Sequence, residues 1–549
     1  MKWMGLWIGG FLLLLGFSLT KCTGDQEVVD TVASSFTAAV NALHIADPYY
    51  HKKVLLKTRL YYGAHENARA WLKKRRPDKL FSAFVTEVKR SEEYGFVPDD
   101  YDIEGLEEAV HQVYDKRRRK RTPGEISNLD LRITASFFLF TTHLIEGRIR
   151  FAGAREFLWR KGMPLDNDIA LLLKMESAGD LRREIEDLQP EDPQYKRLQK
   201  ALKAYRDLAK IDSFAPISTS IKLEPGEVHD DVPLVRKKLY LREGIKGSDT
   251  SRLYDDRLAE MIKHFQERHG LEPDGILDRQ TAVFLNMPIA RKSEVIALNL
   301  ERLRWRPHLK GEKEEIVINV PEYMLRIYEN NREKMAMRVV LGSQYNPTPV
   351  FHDTLKYIVF SPTWMVPNSI FKEEFLPKLR DDPFHFDTNR FRFYKDGVEI
   401  DPIFEAWRDE ELDASQYSVV ENPGEANSLG NVKFIMPNDF SVYLHDTPAD
   451  KLFNLEKRAL SHGCIRLEEP VEFAKYLLRD HKGWSDKKIK EAMQSPKPVQ
   501  VDLEKPYPVY IIYRTAWVDD DGRLHFRGDI YGHDSRQLAN LQQKLAGSL

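Results

Sequence analysis

One cysteine lies in the C-terminal part of the chain, inside the stretch ALSHGCIRL at residues 459–467. The only other cysteine is Cys22. A thiol attacks a carbonyl as its thiolate, and a nearby histidine can take the thiol proton. His462 lies two residues before Cys464, and His445 ends the strand-like stretch FSVYLHD. These residue types predict acyl transfer by a cysteine nucleophile, with His445 as the general base.

Backbone groups beside the thiol could complete such a site. Gly463 lets the main chain approach a substrate carbonyl closely, and the N–H groups of Gly463 and Cys464 could hold an oxyanion. Two other interpretations are open. A cysteine between glycine and isoleucine is often a small buried residue without reactivity. His445, His462 and Cys464 could also bind zinc, although no fourth ligand is evident, so we expect no metal.

The elements that position these residues follow an apolar N-terminal stretch. It runs from residue 3 to residue 19 after a single lysine, which is typical of a signal peptide or anchor over residues 1–22. Leu19 lies three residues before Cys22, as in a lipoprotein signal, but Lys21 departs from the small residue preferred there. Lipidation of Cys22, simple cleavage and an uncleaved membrane anchor all stay open. We expect the rest of the chain to be exported, and if Cys22 is lipidated or removed, Cys464 has no intramolecular disulfide partner there.

The length of 549 residues indicates about three domains. The net charge of −2 gives no reason to expect nucleic acid as a partner. The run KRRRKR at 116–121 is a local exception. Such a run is usually a solvated helix face or a loop, and contact with an anionic glycan or lipid is the alternative.

Apolar residues at three- and four-residue spacing predict an α-helical domain over 27–215. A linker at 213–231 precedes a block of three short predicted helices, within 230–290. The string HFQERHGLEPDGILDRQT in this block resembles the peptidoglycan-binding module of bacterial wall enzymes. Asp278 departs from that pattern, where glycine is usual. A helical spacer without a ligand is the alternative.

From residue 314 onward, alternating valine, isoleucine and aromatic residues predict a β-rich domain. Residues 367–425 interrupt it with a charged, aromatic insertion, which we expect to act as a lid over the site. The run DDDG at 519–522 lacks the ligand spacing of a calcium loop and predicts a hairpin turn.

The full arrangement YLHDTPADKLFNLEKRALSHGCIRL resembles the catalytic motif of YkuD-type L,D-transpeptidases. The stretches NLERLRWRP, SPTWMVPNSI, NSLGNVKFIMPNDFSVYLHDTP and YRTAWVDDDGRLHFRGDIYGHD are similar to the large YcbB-like subfamily. This resemblance implies a multidomain α+β protein with a helical scaffold, a peptidoglycan-binding module and a β-rich catalytic domain. The catalytic domain is then expected over 299–500, with 367–425 as a capping insertion and 501–549 as a C-terminal extension packing on it.

The resemblance also implies roles for single residues. Cys464 matches the nucleophile and His445 the base, and the backbone carbonyl of Asp446 matches the group that orients His445. Ser461 and His462 lie beside the acyl site in supporting positions.

Two further positions have both a functional and a purely structural interpretation. Arg466 matches a position that shapes the substrate pocket, but could equally form a structural ion pair. Trp364 could line the pocket or simply pack.

The implied reaction is attack by Cys464 on the third-position diamino acid of a peptidoglycan tetrapeptide stem, with loss of D-alanine. An amine from a second stem would then resolve the thioester and leave a cross-link. Peptidoglycan stems are thus the expected donor and acceptor in the periplasm, carbapenem-type β-lactams the expected inhibitors, and no cofactor is implied. A carboxypeptidase or endopeptidase that uses water, and a wall-binding protein with a vestigial site, are the alternatives.

Overall fold

The computed structural model describes residues 38–546, apart from 44, 46, 48, 65–68, 74, 75, 116–121, 150–166, 179, 244, 246, 248, 306–312 and 410. The predicted signal or anchor at 1–22, with Cys22, and the basic run at 116–121 lie outside the described residues. None of the helices in the described part is long and apolar enough to cross a membrane.

The described residues divide into two compact units. One unit takes residues from the ranges 1–85, 101–140 and 165–181, and the other takes those from 86–100, 141–164 and 182–549. The predicted site residues all fall in the second unit.

The N-terminal part of the described chain is helical, as predicted. Its helices are α1 His51–Ala64, α2 Lys79–Lys89, α3 Ile103–Tyr114, α4 Pro123–Glu146, α5 Asn167–Ala178, α6 Leu181–Asp187 and α7 Pro193–Ala209. Local chemistry sets their starts. Thr122 and Glu125 exchange backbone-to-side-chain hydrogen bonds of 2.6 and 3.2 Å around Pro123, which is a capping box that fixes the start of α4. The carboxylate of Asp192 likewise accepts from the N–H of Gln194 at the start of α7.

The three-helix block forms as predicted. It comprises α8 Val232–Glu243, α9 Asp256–His269 and α10 Arg279–Asn286, which surround a core of their own and precede the long helix α11 Ile289–Trp305. Asp278 is the N-cap of α10, and its side chain accepts from the N–H of Thr281 at 2.8 Å. An aspartate satisfies a helix-start N–H that a glycine would leave without a side-chain partner, which explains the departure from the module's pattern.

The β-rich part is built on one large sheet. Its strands are β1 Glu314–Asn319, β2 Met324–Glu329, β3 Arg332–Gly342 and β4 His352–Phe360; the small sheet of the insertion has β5 Trp364–Met365, β6 Phe391–Lys395, β7 Val398–Ile400 and β8 Tyr417–Glu421; the large sheet resumes with β9 Val432–Ile435, β10 Leu444–His445, β11 Ala459–Ser461, β12 Ile465–Leu467 and β13 Val499–Ile512. The order in the large sheet is β11-β3-β12-β10-β9-β4-β13-β1-β2, and β2 also pairs with β3. The sheet therefore closes on itself around an apolar core.

Strand β13 lies inside this sheet, parallel to β1 and antiparallel to β4. The predicted boundary at residue 500 therefore cuts through a strand. The sequence of an alternating apolar stretch does not show whether the strand lies inside a sheet or outside it, because the strands that pair with it come from distant segments.

The insertion folds around its own core. Helix α12 Asn368–Ile370 continues through a π-helical turn, Phe371–Phe375, into α13 Leu376–Asp381, and these pack on the sheet β5-β8-β6-β7. Phe371, Phe375 and Trp407 are buried among its aromatic residues.

Two helices lie between β12 and β13 in the chain, α14 Pro470–Leu478 and α15 Asp486–Met493. Strand β13 is followed by a hairpin of β14 Ala516–Val518 and β15 Leu524–Phe526, and then by helix α16 His533–Ala546. The predicted turn at 519–522 is confirmed, since the N–H of Asp519 donates to the carbonyl of Arg523 and the N–H of Gly522 donates to the carbonyl of Asp519. The hairpin packs on α7 and α11 through Tyr195, Leu300 and Phe526.

Candidate active site

The register between β10 and β12 decides which side chains share a face. These strands run parallel, with Leu444 opposite Ile465 and His445 opposite Arg466. Leu444 and Ile465 are fully buried in the core of the sheet. Because successive side chains of a strand point to opposite faces, His445 and Arg466 lie on the other face. Cys464 lies one residue before Ile465 and joins them there.

His445 is held in one tautomer. Its Nδ1–H donates to the carbonyl oxygen of Asp446 at 2.5 Å, so Nε2 keeps its lone pair and can accept a proton. Burial lowers the pKa of His445 to about 3, and the nearby charge of Arg466 acts in the same direction. The imidazole is therefore neutral at physiological pH. The carboxylate of Asp446 instead accepts from the N–H groups of Asn431 and Thr447, each at 2.7 Å.

Cys464 is half-buried, with its Sγ 3.9 Å from the carbonyl oxygen of Ser441. Burial raises the pKa of the thiol, while hydrogen bonds with Tyr443 and the charge of Arg466 partly oppose that rise. Thiol and imidazole are thus both neutral at rest. Such a pair suits general-base removal of the thiol proton as a substrate arrives, rather than a standing thiolate–imidazolium pair.

The turn at residues 461–464, which carries the thiol and which we name the catalytic turn of the candidate site, is held by Ser461. Its hydroxyl donates to the carbonyl of Cys464 at 2.6 Å and accepts from the N–H of Gly463 at 3.1 Å. Gly463 has φ of +113°, a conformation that side-chain-bearing residues rarely adopt. Since the Gly463 N–H is already engaged, the Cys464 N–H is the better-placed of the two predicted oxyanion donors.

Arg466 and His462 differ in their surroundings. Nε of Arg466 is buried without a hydrogen-bond partner among the described residues. His462 is exposed, and its Nε2 lies 3.0 Å from Oε1 of Glu374 in the π-helical turn of the insertion. Arg466 lies near enough to the thiol for its charge to lower the pKa of Cys464, whereas the imidazole of His462 contacts the insertion.

Comparison with known proteins identifies the domain that carries this site. Residues 313–511 match the model of the YkuD family, described as "L,D-transpeptidase catalytic domain". These residues form a YkuD-family L,D-transpeptidase catalytic domain. Residues 57–202 match the model "Scaffold domain", and residues 228–285 match "Putative peptidoglycan binding domain".

Relatives agree with this assignment. The chain is 34% identical over 269 residues to a Haemophilus influenzae protein named "Putative L,D-transpeptidase", an alignment that covers 48% of this chain and 53% of the relative. The chain thus spans about half the length of this curated relative. Two solved L,D-transpeptidases, one from Mycobacterium smegmatis and one in complex with imipenem, are each 14% identical with a TM-score of 0.17. They cover 37% of this chain, and 59% and 60% of their own chains, a likeness too low to carry a structural argument.

Sequence reasoning missed one residue that the structure places beside the candidate site. Burial raises the pKa of Tyr443, the neighbouring Cys464 raises it further, and Trp364 acts in the opposite direction. The ring centroid of Tyr443 lies 5.8 Å from that of His445. The signal was present, because Tyr443 stands two residues before His445 and period-two alternation puts both on one face. Trp364 is half-buried against the core of the insertion, so it packs there and also borders the site.

Metal binding at this site gains no support from the described residues. No group of three or more histidine, cysteine, aspartate or glutamate side chains within them is arranged to hold a metal ion.

Proposed function

We propose that the protein is an L,D-transpeptidase that forms cross-links between third-position diamino acids of peptidoglycan through a thioester on Cys464. The observation that carries this proposal is the shared face of His445, Cys464 and Arg466, with the Nδ1–H of His445 bound to Asp446. A carbonyl bound at this face would meet a nucleophile, a base and a cation together.

In the first step, Sγ of Cys464 bonds to the carbonyl carbon of the diamino acid while Nε2 of His445 takes the thiol proton. The C–N bond to D-alanine then breaks, and the same proton passes to the leaving amine. In the second step, the amine of another stem attacks the thioester, gives its proton to His445, and restores the thiol. This division replaces one difficult exchange by two easier ones.

Arg466 has a proposed role in substrate recognition. Its partly buried guanidinium has a donor at Nε with no bond among the described residues. An Nε–H donor without a partner on a guanidinium near the thiol suits a carboxylate oxygen of the stem peptide. This favours pocket formation over the structural ion pair that the sequence left open.

The insertion supports cross-linking over hydrolysis. It has its own core and reaches the catalytic turn through Glu374 and His462. A capping element at residues 367–425 that excludes water lengthens the lifetime of a thioester and leaves the amine as its acceptor. We further propose export to the cell-wall compartment, anchoring through the N-terminal segment, and acylation of Cys464 by carbapenems.

The test incubates the full-length chain with tetrapeptide-stem muropeptides and resolves the products by mass. The variant is Cys464→Ala, and Cys22→Ala is its matched control because it removes the other thiol. We expect a dimer that lacks one D-alanine with wild type and with Cys22→Ala, and none with Cys464→Ala. Loss of D-alanine without dimer would replace the proposal by a hydrolase, and unchanged substrate with wild type would favour a wall-binding protein.

A further inference from the structure

The C-terminal segment beyond the YkuD match is connected to the catalytic turn by hydrogen bonds through the end of β3. Tyr531 lies between the hairpin β14–β15 and helix α16, twenty residues past the last matched residue, Ile511. It belongs to the YGHD stretch of the sequence, for which the proposed reaction gives no role.

The hydroxyl of Tyr531 bonds to the backbone at the end of β3. It donates to the carbonyl of Gly342 at 2.5 Å and accepts from the N–H of Thr348 at 3.3 Å. The backbone of Tyr531 is itself anchored, since its N–H donates to the hydroxyl of Tyr513, which donates to Asp529 at 2.8 Å. Asp529 in turn accepts from the first turn of α16, so the position of Tyr531 is tied to that helix.

Thr348 carries the contact to the catalytic turn. Its buried hydroxyl accepts from the N–H of Gly342 and donates to the carbonyl of Gly463, both at 2.9 Å. The carbonyl of Gly463 and the N–H of Cys464 belong to one planar peptide group, in which they point in opposite directions. A bond that fixes that carbonyl therefore fixes the direction of the Cys464 N–H, the candidate oxyanion donor.

We propose that Tyr531 is a positioning residue which, through Thr348, orients the Gly463–Cys464 peptide and with it the oxyanion donor of the site. This inference rests on the proposed function and adds a part of the chain outside the matched catalytic domain. Its mechanism is precise placement of an N–H where negative charge develops, which lowers the barrier without tightening substrate binding.

The experiment uses the full-length chain and three variants. Tyr531→Phe removes only the hydroxyl, Thr348→Val removes the next link at nearly constant volume, and Thr348→Ser restores that link. Tyr476→Phe is the matched control, because its hydroxyl donates to Glu329 at 2.8 Å, outside the catalytic turn. The readouts are kcat and KM with tetrapeptide stems, and hydrogen–deuterium exchange of the peptide 459–467.

We expect Tyr531→Phe and Thr348→Val to lower kcat about tenfold at nearly constant KM, since a misdirected oxyanion donor weakens the transition state alone. The peptide 459–467 should exchange faster in both, and Thr348→Ser should stay close to wild type. Exchange and kcat equal to those of Tyr476→Phe would overturn the inference, as would an equal loss in Thr348→Ser and Thr348→Val.

Failure of the proposed function gives a different result. If the wild type forms neither dimer nor acyl-enzyme, the proposed function fails, and the exchange of 459–467 alone decides the positioning role. If Tyr531→Phe does not fold, the two Thr348 variants supply the same comparison.

Discussion

At the scale of single residues, the site is built around two neutral partners. Burial disfavours the charged forms of both His445 and Cys464, which lowers one pKa and raises the other. The bond from Nδ1 of His445 to Asp446 selects the tautomer that can accept a proton. In a neutral pair the thiol proton of Cys464 passes to His445 during the attack. The pair therefore stays in its reactive, neutral form at every pH between the pKa of His445 and that of Cys464.

This predicts a flat pH profile. The rate of Cys464 acylation by imipenem should stay nearly constant from pH 5 to pH 8, because His445, with its pKa of about 3, remains unprotonated across that range. Stopped-flow absorbance or mass spectrometry of the acyl-enzyme gives the rate at each pH. A loss of rate on the acid side with a midpoint near 6.5 would contradict the neutral pair.

At the scale of elements, the end of β3 supports the catalytic turn at very close range. Strand β3 pairs with β2, β11 and β12, which brings Gly342 against Gly463. A Cβ on Gly342 would lie 2.1 Å from the carbonyl oxygen of Asn346, 2.6 Å from the N of Thr348 and 3.0 Å from the Cα of Gly463. All three atoms are backbone, so none can move aside by a rotamer change.

Gly342→Ala should therefore destabilise the fold by about 2 kcal/mol or more, in the range of overpacking effects, and slow acylation of Cys464. Urea unfolding and the imipenem reaction measure the two effects. Gly528→Ala is the matched control, because no atom lies within 4 Å of its added Cβ. Equal stability of the two variants would show that the loop 343–348 adapts and that the close approach is not required.

At the scale of the whole molecule, buried neutral histidines recur in the second unit. His269, His445 and His533 are each 4% exposed, and burial is the first cause of the lowered pKa in all three. His269, at the end of α9, also lies with Nε2 2.9 Å from Nζ of Lys292, whose own pKa burial lowers. Protonating any of these imidazoles works against the folded state.

The unfolding free energy should therefore fall with acidification. Below about pH 6.5 the unfolded chain binds protons that the folded chain does not bind, so this stability is present above that pH. It is lost as the pH falls toward the folded pKa, which is about 3 for His445 and His533. Each buried histidine contributes up to about 1.4 kcal/mol per pH unit in this window. Urea unfolding at pH 7, 6 and 5 should give a shallower decline for His533→Gln than for wild type, while the exposed His264→Gln should keep the wild-type slope. Identical slopes in all three proteins would refute this account.

Much of the organisation could be predicted from the sequence. The helical N-terminal part, the three-helix block, the β-rich domain and the YkuD assignment are confirmed, because periodicity and short motifs are local properties of a chain. Membership of the YcbB-like subfamily stays a prediction, as do the catalytic roles of Cys464 and His445. The place of β13 and the contact of His462 with Glu374 could not be predicted, since they depend on segments distant in sequence.

The sequence by itself determined that a thiol, a histidine and an arginine stand at spacings suited to acyl transfer in a chain with a peptidoglycan-binding-like module. Only the tertiary structure decided that His445, Cys464 and Arg466 share a face, that Tyr443 joins them, and that Tyr531 reaches the turn from behind. The register of the strands and the closure of the large sheet produce these contacts. Both depend on the burial of apolar residues from the whole sheet rather than on any one motif.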